Sequence, residues 1–298
     1  MDAIKKLESV AQFNSERGQQ TLHPLVTVLD QSKSKLIQAA RFISGLYIVF
    51  LKNVKCADIK YGRNHYDYQE DTLIFIAPGQ VAGFEEDEEL IQPNGWALAF
   101  HPDLIRGTHL GSHIKDYTFF SYDANEALHT SEGERQIVLE CLNKIQYELA
   151  HAIDKHSSTL IATNIELLLN YCVRFYDRQF ITRDQIHKDL LTRFETLLDE
   201  YFKSDKPHTF GLPSVAYCAM QLNLSANYFG DLIKKETGRS AHDYIQEKLI
   251  DVAKEKVFDI SKSISEIAYE MGFKYPSHFT RLFKQKVGQS PNEYRSLN

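Results

Sequence analysis

Five side chains near the C-terminus, Ser277, His278, Thr280, Arg281 and Lys284, have the chemistry to read nucleic acid and share one side of a helical pattern. Arginine is the usual bidentate partner of guanine, Ser and Thr pair with several base edges, and Lys neutralises phosphate. Fifty residues earlier the corresponding positions hold Asn227, Tyr228, Gly230, Asp231 and Lys234, followed by Lys235. Asn227 suits adenine, Tyr228 suits sugar or phosphate, and Lys234 and Lys235 add charge in the last turn. Gly230 reaches nothing. Asp231 is repelled by phosphate unless it accepts from cytosine, so Gly230 and Asp231 read as a solvated face in a weaker reader.

The elements that must position these residues are written twice. SANYFGDLIKKETGRSAHDYI (225–245) recurs as YPSHFTRLFKQKVGQSPNEYR (275–295), with identical pairs Phe229/Phe279, Leu232/Leu282, Lys234/Lys284, Gly238/Gly288, Ser240/Ser290 and Tyr244/Tyr294. Upstream the spacing is forty-nine (Ala219/Ala268, Leu222/Met271, Leu224/Phe273), which puts one extra residue in the second turn. Each copy predicts a short helix, a tight turn and a longer helix, the helix-turn-helix pattern. Ala219 and Ala268 allow close helix crossing, Asn223 and Gly272 suit a left-handed turn residue, and Gly238 and Gly288 suit C-caps. Phe229, Leu232 and Ile233, and Phe279, Leu282 and Phe283, each form one buried stripe.

The segment SEIAYEMGFKYPSHFTRLFKQKVGQSPNEYR (265–295) resembles the fingerprint of the AraC/XylS family of bacterial transcription regulators. The resemblance runs from about Phe194 to the end. It implies an all-α domain of two helix-turn-helix units joined by a linker helix, here residues 241–258, with Tyr244, Ile245, Leu249, Val252, Ala253 and Val257 on its apolar side. The partners it implies are double-stranded DNA, a second copy of the chain and RNA polymerase.

Net charge over the 298 residues is -6, which is unpromising for a polyanion binder until it is divided. Residues 190–298 carry 15 Lys and Arg against 14 Asp and Glu, and the last 28 carry five basic side chains and one acidic. A local basic face therefore does the binding. The N-terminus, MDAIKKLESV, lacks the apolar run of a signal peptide, and no stretch is long enough to span a membrane, so a cytoplasmic protein is expected. Cys56, Cys141, Cys172 and Cys218 show no close pair and read as free thiols rather than disulfides or a zinc site.

The first 120 residues differ in kind. Apolar segments at 45–54, 71–81, 95–105 and 116–122 break at Gly and Pro, which predicts an antiparallel β-sandwich or β-barrel. Their order, with a turn at Pro78-Gly79, is similar to the cupin-like sensor that often precedes this kind of reader. Phe42, Tyr47, Phe50, Phe75, Trp96, Phe100, Phe119 and Phe120 would place about half their rings inward, around a small-molecule effector or as filler. Catalytic cupins hold a metal with closely spaced histidines and a carboxylate. The strand over 45–50 has no His, and none follows Gly79 before Glu85. His65, Asp67 and Glu70 sit in a Tyr-rich turn, and the acidic run 85–89 reads as a solvated loop. His109 and His113 would share a face only in a helix, which Gly107 and Gly111 argue against. No catalytic set, metal site or cofactor is therefore expected.

Between sheet and reader, Ser131 and Glu134 form a capping-box pattern, followed by helical periodicity through Ile137, Cys141, Ile145 and Leu149 and, from about Ser158, through Ile161, Ile165, Leu168 and Cys172. Residues 175–180 suggest a hinge. The expected fold is a multidomain α+β chain: a cupin-like sensor or dimerisation barrel (1–130), a helical dimerisation region (131–180), a linker (181–188) and a double helix-turn-helix domain (189–298). The expected function is sequence-specific transcription regulation, modulated by an effector in the barrel. A metal-dependent cupin enzyme tethered to DNA and a ligand-independent architectural regulator stand as alternatives.

Overall fold

The computed structural model describes residues 4–38, 41–52, 72–83, 90–122, 126–151, 154, 156–182 and 184–297. Cys56, His65, Asp67, Glu70 and residues 85–89 lie outside the described residues. Two compact units result, Met1–Thr182 and Arg183–Asn298. Among the described residues no helix is long and apolar enough to cross a membrane.

The first unit contains β1 (Lys5–Leu7), α1 (Val10–Glu16), β2 (Val26–Asp30), β3 (Ile37–Gln38), β4 (Arg41–Ser44), β5 (Tyr47–Lys52), β6 (Thr72–Ile76), β7 (Val81–Gly83), β8 (Leu90–Ile91), β9 (Trp96–Phe100), α2 (Pro102–Ile105), α3 (His109–His113), β10 (Leu128–His129), α4 (Glu132–Ala150) and α5 (Ser157–Thr182). The strands form three sheets, ordered β10-β6-β5-β9-β2, β1-β4-β7 and β3-β8. Three of the four expected segments supply β5, β6 and β9. The fourth, 116–122, forms 3-10 turns instead, because its rings pack onto the large sheet rather than into a ladder. As described, the sheets are separate and do not close into a barrel. At one end of the large sheet, β10 is covered by a side chain: the Gln179 amide accepts from His129 N (2.8 Å) and donates to Ala127 O (3.1 Å). An amide with one donor and one acceptor can stand in for a neighbouring strand there.

Register explains where the aromatic rings go. Val49 faces Phe75 on one side and Leu98 on the other, so alternation sends Tyr47, Phe75, Trp96 and Phe100 to one face of the sheet. Ile48, Phe50, Ile74, Ile76, Ala97 and Ala99 form the other face and pack with Leu7, Val10, Phe13 and Phe42 in an apolar core. Most of the rings expected around an inward pocket therefore pack on each other. Tyr47 stacks on Phe100 at 5.1 Å, Phe75 meets Phe119 at 4.4 Å and Phe120 at 5.6 Å, and Phe119 stacks on Tyr176 of α5 at 5.5 Å. The cavity among Phe75, Phe119 and Tyr176 is about 10 Å³, room for one water at most.

The capping box of α4 forms as expected, with Ser131 Oγ accepting from Glu134 N and the Glu134 carboxylate accepting from Ser131 N. Residues 175–180 are no hinge. They lie inside α5, where Tyr176 OH donates to Glu126 O (3.0 Å) and Arg178 donates to both Glu134 carboxylate oxygens (3.0 and 2.7 Å). Helical backbone runs through Thr182 and resumes at Asp184, within the segment expected as a linker.

The histidine segment also departs from expectation. Gly111 sits inside α3, where a Cβ would lie 2.0 Å from Ile105 O. The glycine permits a close backbone approach rather than breaking the helix, so His109 and His113 do share a face, with ring centroids 4.2 Å apart. Overpacking of that kind costs about 1–3 kcal/mol. Gly111→Ala should lower stability by that amount in chemical denaturation followed through Trp96, the single tryptophan; an unchanged midpoint would refute the contact.

The second unit is all-helical: α6 (Asp184–Lys203), α7 (Lys206–Phe210), α8 (Val215–Gln221), α9 (Ala226–Thr237), α10 (Ala241–Val257), α11 (Ile264–Glu270), α12 (Pro276–Val287) and α13 (Pro291–Leu297).

Candidate nucleic-acid interface

The repeat is reproduced in the bonds of its turns and of its C-terminal caps. Across the turn after α8, Leu224 N donates to Ala219 O at 3.0 Å, and after α11, Phe273 N donates to Ala268 O at 3.0 Å. Asn223 (φ 59°) and Gly272 (φ 90°) take the left-handed conformation. The turns span 222–225 and 271–275, and the additional residue in the second lets Pro276 begin α12. The longer helices end alike, with Gly238 N donating to Lys234 O and Gly288 N to Lys284 O, both at 2.9 Å. Ala219, Ala268, Phe229, Leu232, Ile233, Phe279 and Phe283 are buried, while Leu282 is only partly so.

Between the copies, α10 packs against α6, α9, α11, α12 and α13. Ile245, Leu249, Ala253 and Val257 are buried as expected, and Ile250 joins them. Polar ties fix its orientation: Lys248 pairs with Asp199 of α6 at 2.6 Å, and Tyr244 OH donates to Glu195 of the same helix. Burial, then this bond to Glu195, pushes the Tyr244 phenol up to about 12. Arg295 of α13 closes the far end. Its Nε donates to Val257 O (2.6 Å), and its Nη2 donates to Asp259 O (3.3 Å) and Lys262 O (3.1 Å). Those carbonyls include one orphaned where α10 ends, a group that is costly to leave unpaired. In the sequence Arg295 stands out only as the last residue of the fingerprint; its role as a cap depends on a fold that brings it 38 residues back along the chain.

On α12, Ser277, His278, Arg281 and Lys284 are exposed and Thr280 is half-buried. These are positions i, i+1, i+3, i+4 and i+7 of one helix, so the geometry brings them together. Among the described residues Arg281 has no ion-pair partner, which leaves its planar fork unspent. His278 lies edge-on to Tyr275, with centroids 5.4 Å apart. Tyr275 (61% exposed) and Lys274 stand at the start of the same helix and went unnoticed in the sequence, because an aromatic before a helical proline reads as a turn.

On α9, Asn227, Lys234 and Lys235 are exposed and Asp231 is half-buried. Tyr228 must be corrected. It is only 5% exposed, because one residue of rotation carries it toward the buried side beside Phe229. A ring so placed cannot meet a sugar or phosphate without moving. The first copy therefore presents fewer polar groups than the second.

The turn residues differ in what they tolerate. A Cβ on Gly272 would lie 2.7 Å from Pro207 O and 2.9 Å from the Gly211 carbonyl carbon, in addition to the left-handed strain. That strain is about 1–2 kcal/mol by itself. Gly272→Ala should destabilise the second unit by at least that much in urea, whereas Asn223→Gly should shift the midpoint little. Equal effects of the two substitutions would contradict the turn geometry.

Residues 218–296 match a family described as "Helix-turn-helix domain". The chain is 26% identical over 145 residues to the probable transcriptional regulator LumQ of Photobacterium leiognathi, covering 49% of this chain and 54% of that protein. It is 31% identical over 141 residues to the HTH-type transcriptional regulator YfiF of Bacillus subtilis, covering 47% and 41%. The chain thus spans about half the length of the curated relatives it matches. A solved AraC-type DNA-binding-domain regulator from Chromobacterium violaceum is 23% identical, with TM-score 0.32, over 37% of this chain and 91% of that one. Two helix-turn-helix units repeated about one buried connecting helix, in a segment that matches this family, make the second unit a helix-turn-helix domain.

Proposed function

We propose that the chain is a sequence-specific transcription regulator that binds double-stranded DNA in the cytoplasm through α9 and α12, with α12 as the stronger reader. The observation that carries this is the face of α12, where Ser277, His278, Arg281 and Lys284 are exposed together on a helix held from behind by Phe279 and Phe283. Such a helix enters the major groove with its first turns against base edges, where an Arg fork pairs with guanine. Lys234, Lys235 and Lys284 serve phosphates, and Asn227 reads from α9. In a binding assay against selected operator sequences, Arg281→Ala should weaken binding by roughly 1–3 kcal/mol and relax the preference at one base. Asp231→Ala should be neutral or tighten binding. Loss of specific binding in Asp231→Ala with a silent Arg281→Ala would reverse the ranking.

The second unit, Arg183–Asn298, contains both readers and α10, and it should bind DNA by itself, with log affinity falling against log salt by about 0.9 per phosphate contacted. An inactive but folded fragment would move part of the interface into the first unit.

For the first unit the reading is a cupin-like sensor that also dimerises. The Pro78-Gly79 turn, closed by Gln80 N donating to Ala77 O at 3.2 Å, supports the cupin-like layout. Space for an effector of small-molecule size exists away from the packed rings. A cavity of about 420 Å³ is walled by Lys5, Glu16, Arg17 and Lys35 together with Leu7, Ile37 and Phe42. Burial lowers Arg17 to about 10, which leaves it cationic at neutral pH. A ligand that binds only the native state must raise the melting temperature, so candidate metabolites can be screened that way. Dimerisation through α4 and α5 is supported by large apolar side chains left exposed there: Tyr147, Leu160, Leu167 and Val173. Leu160 and Leu167 are one heptad apart, the spacing of a helix–helix seam. Leu160→Glu with Leu167→Glu should convert a dimer to monomer in sedimentation equilibrium; a dimer that survives both places the interface elsewhere. RNA polymerase is the partner through which a regulator of this kind would act.

A further inference from the structure

We infer that His109 and His113 form a binding site for a first-row divalent cation that favours imidazole nitrogen, with Zn2+ as the working case. The two rings are stacked, with centroids 4.2 Å apart and planes 27° apart, on the exposed side of α3. Their hydrogen bonds fix which nitrogens are free. His113 Nδ1 lies 2.9 Å from the backbone oxygen of His109, and a carbonyl can only accept, so Nδ1 carries the proton. His109 Nδ1 lies 2.6 Å from Glu166 Oε1, and an ionised carboxylate likewise only accepts. In their neutral forms both imidazoles are therefore held as Nδ1–H tautomers, and both Nε2 lone pairs are open on adjacent turns of one helical face.

That arrangement is the one a metal-ligating histidine needs. The ring nitrogen that does not bind metal donates to a carboxylate or carbonyl, which fixes the ring and raises its basicity. Here both rings have such a partner. Glu166 is the more specific of the two, because its side chain is only 21% exposed and belongs to α5. Imidazole nitrogens select Zn2+, Cu2+ and Ni2+ over Mg2+ and Ca2+. Among the described residues no group of three or more His, Cys, Asp or Glu is placed to hold a metal, so water completes the coordination and the ion is exchangeable. Bound metal would tie α3 more firmly to α5 through the His109–Glu166 bond. The site belongs to the first unit, whereas the DNA-reading helices belong to the second.

The test is calorimetric titration of the full chain with Zn2+ in a non-coordinating buffer at pH 7.5, with the melting temperature measured with and without metal. The parent should bind an ion that His113→Ala and His109→Ala each weaken by at least tenfold. Glu166→Gln should weaken it by roughly ten- to a hundredfold, as supporting residues around metal sites do. Zn2+ should raise the melting temperature of the parent and leave that of His113→Ala unchanged. His113→Ala is the deciding variant, since its ring bonds only to backbone and its loss leaves the His109–Glu166 pair intact. Identical Zn2+ affinity and stoichiometry in the parent and in His113→Ala would overturn the site, as would a parent that binds no Zn2+.

Discussion

Burial of the apolar side of α10 is the interaction on which the second unit depends. Ile245, Leu249, Ile250, Ala253 and Val257 are buried where α10 packs against α6, α9, α11, α12 and α13, so one stripe orients both copies. Removing a large member of such a stripe costs about 2–5 kcal/mol, a sizeable share of a domain's whole stability. The polar ties act differently. Lys248 with Asp199 is partly exposed and adds little energy, but it selects the rotation at which α10 presents its neighbours. Arg295 closes the C-terminal end by satisfying carbonyls that the helix itself leaves open. Energy comes from the apolar stripe, and register comes from the charges.

Given that frame, the two readers differ for local reasons. Their backbones share the paired 3.0 Å bonds across the turns and the paired 2.9 Å caps. What differs is the outer face. The second helix begins at a proline, with Tyr275, Ser277, His278 and Arg281 exposed in its first turns, whereas the first begins with Ala226 and turns Tyr228 inward. A duplicated scaffold can keep its packing while one copy loses reading groups, because packing and reading use opposite sides of the same helix.

The first unit shows how strand alternation can redirect a composition. Eight aromatic residues suited either a lined pocket or a filled interior, and register puts Tyr47, Phe75 and Phe100 on the face where Phe119, Phe120 and Tyr176 also pack. Edge-on and offset ring pairs add stabilisation beyond area alone, and they fill the space a ligand would need. The cavity near β1, β4 and the end of α1 has apolar walls and mixed charge, with Glu16 beside Lys5, Arg17 and Lys35. Gln179 meanwhile covers the exposed groups of β10, which would otherwise offer an edge to another chain.

Local physics written in the sequence was enough for the double helix-turn-helix. The left-handed turn at Asn223 and Gly272, the small Ala219 and Ala268, the caps at Gly238 and Gly288 and the buried Phe stripes all depend on neighbours within a few positions. The capping box at Ser131 and Glu134 was legible for the same reason. Tertiary structure alone decided what depended on distant partners. Tyr228 points inward because of the rotation of α9 in its packed setting, and Arg295 caps carbonyls 33 to 38 residues away. The segment 116–122 has the composition of a strand, yet its rings gain more by lying on a sheet already complete at that face. Gly111 suggested a helix break, and only the approach of Ile105 O shows that the missing side chain is what the helix requires. A sequence records propensity at each position, whereas the backbone oxygen that a Cβ on Gly111 would meet at 2.0 Å is set by the whole fold.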